Sequence, residues 1–244
     1  MKTTKTHADG PIPVQIALDG VAIFGDLQLP PEANGLIIFV HGSGSSRFSG
    51  RNRQVAGQLN QVGLGTLLLD LLTREEQEAD ELTMQFRFDI PLLAKRSTLA
   101  VQWAMKQPKL QQLPIGLFGA STGAAAALIT AATLKGQIAA IVSRGGRADM
   151  AESALGQVEA PTLLIVGSED TTVLNLNVKA ARQMHCVCRL HVIPGATHLF
   201  EEPGALEQVG TVAGDWFAEH MHAQGPVGAR MPVTIRGGSR HPPR

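Results

Sequence analysis

The chain has no tyrosine, and aromatic residues fill only 4% of its 244 positions. Proteins that hold single-stranded nucleic acid stack bases on aromatic platforms, and this chain has little to build one from. It also lacks net charge, since 21 Lys+Arg balance 21 Asp+Glu. Neither nucleic acid nor an anionic membrane surface is therefore an expected partner. No apolar run approaches the roughly 20 residues that a membrane-spanning helix needs. The first ten residues, Met1 to Gly10, are polar and carry no apolar leader core. Only two cysteines occur, Cys186 and Cys188. Two such residues on a strand share a face but are poorly placed for a mutual disulfide, and no second ligand pair at zinc spacing accompanies them. The expectation is two reduced thiols, no metal and a cytoplasmic location.

What the chain does have is apolar bulk, 44% hydrophobic against 17% charged residues, enough to bury a sizeable core. Strand-like apolar runs alternate with amphipathic segments, the pattern of a mostly parallel sheet with helices on both faces. Asp19-Gly20 is a hairpin signal between Val14 to Leu18 and Val21 to Leu29, so an antiparallel pair opens the chain. Further strands are expected at 36–40, 66–71, 113–118, 138–142, 162–166 and 189–193. Helices are expected at 54–62, 90–106, after Ser121, at 173–184 and at 205–221. The fold class is α/β, with residues 1–12 a tail, 13–222 one domain and little or no cap domain. Residues 72–89 are charged and could cover a site. Residues 223–244 hold four glycines, four prolines, four arginines and no acid, and are read as a flexible basic tail.

The densest functional signal is Gly119-Ala120-Ser121-Thr122-Gly123. It follows the apolar run ending at Phe118 and precedes Ala124-Ala125-Ala126-Ala127. Strand, tight turn and helix with serine at the apex would hold the hydroxyl up at a strand's carboxyl end. A serine hydroxyl needs a base, and the base needs a carboxylate to steer it, both at the same sheet edge. Asp170 follows the run 162–166 and His198 follows 189–193 on a Pro-Gly turn, in the chain order such a site requires. Asp149 is the alternative acid; Glu169, His185 and His191 are weaker candidates by position. His41-Gly42-Ser43-Gly44-Ser45 follows another strand, and the amides of Ser43 and Thr122 are the expected oxyanion donors. Arg144 and Arg147, with Arg47, Arg51 and Arg53 after the oxyanion loop, lie where a carboxylate or phosphate on a substrate could be held; their alternative is ion pairing with Asp149, Glu152 or the acidic run from Glu75 to Glu81.

These residues together resemble an α/β-hydrolase, and within that superfamily the dienelactone hydrolase family. The likeness runs from about residue 14 to 221. It is carried by His41 to Arg47, Gly119 to Gly123, Gly167-Ser168-Glu169-Asp170 and Gly195 to Phe200. It implies hydrolysis of small esters or lactones through a covalent acyl-enzyme, with no cofactor and a small-molecule substrate, by a monomer or homodimer. Dienelactone hydrolases proper carry cysteine where this chain has Ser121, which favours a serine carboxylesterase. The stretches 41–53 and 143–147 are also similar to hydrolase-like segments fused to phosphoribosyltransferases. Acyl transfer by the same three residues, and a non-catalytic binding protein on this fold, remain alternatives.

Overall fold

The structure, a computed structural model, describes residues 10–18 and 20–221. The expected basic tail lies outside the described residues, and of the expected N-terminal tail only residues 10–12 lie within them. One eight-stranded sheet runs through the molecule: β1 (Ile12–Leu18), β2 (Val21–Gln28), β3 (Leu36–Val40), β4 (Gly65–Leu69), β5 (Ile115–Ala120), β6 (Ile138–Arg144), β7 (Thr162–Gly167) and β8 (Cys188–Ile193). The spatial order is β1-β2-β4-β3-β5-β6-β7-β8. β1 and β2 are antiparallel and β2 meets β4 antiparallel, while every pairing from β4 onward across the sheet is parallel. The central strands β3, β4, β5 and β7 are buried at every position. That explains why they read as continuous apolar runs and not as alternation.

Among the described residues six α-helices flank the sheet: α1 (Gly50–Gln61), α2 (Arg74–Thr83), α3 (Ile90–Ala104), α4 (Thr122–Thr133), α5 (Thr171–Ala181) and α6 (Ala205–His220). On one face α1 and α6 bury Val55, Leu59, Val209, Trp216 and Phe217 against Phe39, Phe118, Val142 and Ile165. On the other, α3 and α4 bury Leu93, Val101, Ala126 and Leu128 against Ile38, Leu117 and Ile141. Alanines 124–127 are all fully buried, and such small side chains let α4 lie close under the sheet's centre. Because the strands are parallel, all the loops that follow β3, β5, β6, β7 and β8 emerge at one edge, where open α/β sheets place their chemistry.

Three details differ from the sequence reading. α1 starts at Gly50, not residue 54, because the Ser49 side chain accepts the Asn52 amide and caps a polar first turn that has no apolar period. α2 is a full helix inside the charged 72–89 segment. Its capping box, Thr73 with Glu76, was visible as T-x-x-E, and Glu76 also pairs with the buried Arg96 of α3. Two 3-10 pieces separated by a kink at Glu152 (φ 46°, ψ −123°) span Ala148–Gln157 after β6, a stretch for which no element was expected. The segment between β4 and α3 holds α2 alone, and no separate cap domain stands among the described residues. No helix among them is long and apolar enough to cross a membrane. Cys186 precedes β8 and Cys188 begins it, so the two do not share a strand face; both are free, and burial pushes both thiols up, Cys188 to about 11.

Candidate active site

β5 delivers Ser121 to the carboxyl edge. It extends two residues beyond the predicted end, to Ala120, and α4 begins at Thr122, so one residue makes the whole turn. Ser121 sits at φ 50°, ψ −123°, backbone that costs roughly 1–3 kcal/mol for a residue with a Cβ. Hydrogen bonds hold it there: the Ser121 amide donates to the Arg144 carbonyl at 3.2 Å, and the Ser121 carbonyl accepts from Ala124 and Arg147. The flanking glycines are required by contact. A Cβ on Gly119 would lie 2.5 Å from Ala124 Cα, and one on Gly123 would lie 2.2 Å from the Val40 carbonyl oxygen. The serine side chain does not cap α4, so its hydroxyl is free to face the site.

Asp170 ends the turn after β7 and starts α5, yet its carboxylate makes no capping bond. It accepts instead from His198 Nδ1 at 2.6 Å. A carboxylate can only accept, so the proton sits on Nδ1 and the lone pair on Nε2. Nε2 faces Ser121 Oγ at 3.3 Å. The two loops are laced together by the Glu169 amide donating to the Ala196 carbonyl and the Gly195 amide donating to Ser168 Oγ. Phe200, 1% exposed, anchors the histidine loop in the core. Three residues 49 and 28 positions apart thus meet in one hydrogen-bonded line. The other acids do not reach the imidazole: both Asp149 oxygens are bonded to Arg147, and Glu169 accepts from Ser168.

The loop after β3 brings Ser43 to the same place, with a complication. The Ser43 amide donates to Thr122 Oγ1 at 2.9 Å. The two expected donors therefore touch, but this amide already has an acceptor. Thr122 is the first residue of α4, so its own amide has no intrahelical acceptor. His41, treated in the sequence only as the loop's first residue, is its brace. It is 5% exposed, its Nδ1 bonds the Gly42 carbonyl, and its Nε2 accepts the Leu71 amide at 3.0 Å. Burial lowers its pKa, and the Gly42 bond opposes that only in part. The strand-end position of His41 beside Gly42 was the available signal.

Arg47, Arg147 and Arg144 sort cleanly. Arg47 bonds Asp70 through both its amide and its guanidinium, lies 3.5 Å from Asp26, and stacks 4.1 Å over the Phe48 ring. Arg147 clasps Asp149 with two bonds of 2.8 and 2.9 Å, which raises its pKa. Both thus follow the ion-pair alternative, Arg47 with acids other than those named. Arg144 is different: it is 8% exposed and has no carboxylate partner among the described residues. Two open hollows of about 590 and 580 Å³ flank the loop 43–48, the first lined by Ser43, Gly44, Phe48 and Arg51, the second by Phe24, Phe48, Leu72 and Gln77.

A profile of the dienelactone hydrolase family matches residues 25–220. The chain belongs to the dienelactone hydrolase family. A dienelactone hydrolase from Anabaena variabilis, solved by crystallography, is 50% identical with a TM-score of 0.87, over 88% of this chain and 100% of that one. Est1E from Butyrivibrio proteoclasticus, at 19% identity and TM-score 0.72 over 86% of this chain and 98% of its own, shares the fold. Two Mycobacterium tuberculosis proteins, each named "Putative phosphoribosyl transferase", are 51% identical over 215 residues. That match takes in 88% of this chain and 48% of each relative, so the chain spans about half the length of the curated relatives it matches. Members of the family are α/β-hydrolases, and the eight-stranded, mostly parallel sheet with its antiparallel N-terminal hairpin is that fold.

Proposed function

We propose that this chain is a serine hydrolase that cleaves small carboxylic esters or lactones through an acyl-enzyme on Ser121. The observation that carries the reading is the line Ser121 Oγ, His198 Nε2, His198 Nδ1, Asp170 Oδ2, with contacts of 3.3 and 2.6 Å. Ser121 attacks the ester carbonyl as His198 Nε2 takes its proton. Asp170 keeps the other imidazole proton on Nδ1 and stabilises the imidazolium that forms. The same Nε2–H then protonates the departing alcohol, and water repeats the cycle on the acyl-enzyme. In a lactone the leaving alcohol remains part of the acyl group, and the second step releases a single hydroxy acid.

The developing oxyanion is received by the Thr122 amide at the positive end of α4. The Ser43 amide is the second donor. It joins when Thr122 Oγ1 gives up its bond, one acceptor replacing another, and the elbow and the oxyanion loop stay in contact throughout. A donor of this kind contributes about 10²–10³ in rate. The named activity of the longer mycobacterial relatives is not carried over, because this chain matches about half of each.

The test pairs turnover with labelling. Ser121→Ala is expected to lower kcat on a short p-nitrophenyl ester by about 10⁴-fold or more, and a fluorophosphonate should label the wild type at Ser121 and leave the variant unlabelled. Turnover above about a tenth of wild type in Ser121→Ala would refute the assignment.

A further inference from the structure

Arg144 is the last residue of β6, in register with Ala120 of β5. Its carbonyl accepts the amide of Ser121. The next residue, Gly145, lies against the imidazole: a Cβ there would sit 3.5 Å from His198 Cε1. The arginine's backbone thus runs between the two groups that define the site. By strand alternation its side chain shares the sheet face of Ala140 and Val142, the face covered by α1 and α6.

The guanidinium makes no hydrogen bond or ion pair with any described residue, and its Nη1 is buried without a partner. Its electrostatic neighbour is a second cation, Arg51 in the first turn of α1. Arg51 pairs with Glu201 at 2.9 Å, a side chain 64% exposed. That carboxylate is paired with Arg51, and Arg144 has none of its own among the described residues. Elsewhere in the chain Arg47, Arg53, Arg87, Arg96 and Arg147 each meet a carboxylate. Burial, with Arg51 adding to it, pushes the Arg144 pKa down to about 10, which still leaves the group charged at neutral pH. A buried cation without a counter-ion is costly to keep, and its attachment to backbone that bonds the nucleophile's amide makes it a candidate for ligand recognition.

We propose that Arg144, supported by Arg51, holds an anionic group of the substrate, a carboxylate or a phosphate monoester, beside Ser121. A guanidinium offers two parallel N–H donors that match either oxyanion. The incoming anion supplies the charge that the fold leaves out. That the ligand is an ester rests on the serine hydrolase reading; that the site takes an anion does not.

Two measurements separate these claims. In the first, Ser121→Ala protein, which should not turn over, is melted with succinate, with inorganic phosphate, and with sodium chloride at equal ionic strength. At least one oxyanion is expected to raise Tm above the chloride control, and which one does so distinguishes a carboxylate from a phosphate. Adding Arg144→Met should weaken the apparent affinity about ten- to hundredfold, the range for a hydrogen bond to a charged group. The same change should raise the melting temperature without anion, because it removes an unpaired buried charge. Arg51→Gln, at a half-exposed position, should weaken the anion effect severalfold and provides the test if methionine at 144 does not fold. No shift beyond the chloride control, or an equal shift with and without these arginines, overturns the proposal. So does a lower anion-free Tm in Arg144→Met. In the second measurement, the kcat/KM ratio for p-nitrophenyl hemisuccinate over p-nitrophenyl butyrate should fall at least about tenfold in Arg144→Met and hold in Arg147→Met. If the wild type cleaves neither ester, the hydrolase reading fails while melting still decides the anion site.

Discussion

Replacing Asp170 with asparagine tests the site at the joint where structure and mechanism depend on each other. While the imidazole is neutral, the carboxylate mainly sets its tautomer through the 2.6 Å bond to Nδ1. In the transition state the ring becomes an imidazolium, and the carboxylate then acts on a full charge about 4 Å away. At an effective dielectric near 20, that attraction is about 4 kcal/mol. It is felt only where the charge exists, so it lowers the barrier and leaves substrate binding little changed. At 1.36 kcal/mol per decade it is worth about 10³ in kcat. Asparagine removes the charge and, with its NH₂ turned to Nδ1, moves the ring proton to Nε2. That nitrogen can then no longer accept from Ser121, which brings the expected loss to about 10³–10⁴. The assay is kcat and KM on a short p-nitrophenyl ester, beside a melting curve showing that the variant is folded. Asp149→Asn is the control acid. It unpairs only the partly exposed Arg147, at a cost of up to about 1 kcal/mol in stability and little in rate. If Asp170→Asn kept more than about a tenth of wild-type kcat, or Asp149→Asn lost as much as Asp170→Asn, the assignment of the acid would be wrong.

Two further outcomes follow from the same geometry. Gly123→Ala forces a methyl group to 2.2 Å from the Val40 carbonyl, and because the neighbour is backbone it should cost about 2–3 kcal/mol or more, roughly 5–10 °C in Tm; Gly57→Ala, where an added Cβ meets nothing within 4 Å, should instead gain up to about 1 kcal/mol, and equal effects would refute the packing argument. His41 is held neutral in the fold by burial, so between its lowered folded pKa and the unfolded value near 6.5 the unfolded chain binds more protons. Stability is then full above that unfolded value and falls as pH drops below it, by up to about 1.4 kcal/mol per pH unit from this residue. Melting between pH 8 and 5 should be less steep in His41→Gln, and identical slopes would remove His41 as a contributor.

The candidate site residues were readable because their local patterns are strict. A serine between small residues, after an apolar run and before alanines, admits few backbone paths, and close contact at Gly119 and Gly123 shows why. Asp170 and His198 were legible because parallel strands bring all their following loops to one edge. Periodicity failed where it carries no information. The first turn of α1 and the whole of α2 are polar, and they are held by the Ser49 cap and the Thr73–Glu76 box and not by an apolar stripe. Ser49 and the T-x-x-E pattern at Thr73 are the sequence signals that mark both starts.

The order of residue types along the chain was enough to specify an α/β sheet, its serine turn and the sequence positions of a relay, since turn sterics and strand burial act over short distances. Charge partners are another matter. Arg47, Arg144 and Arg147 look alike in one dimension, yet two face carboxylates and one is buried with a like charge nearby. The acceptor on the Ser43 amide and the bracing of His41 by Leu71 are equally invisible along the chain. Apart from Arg147 and Asp149, which are two residues apart, each depends on groups that meet across 23 to 93 residues of sequence, and only the folded packing sets those distances and the burial that gives them their strength.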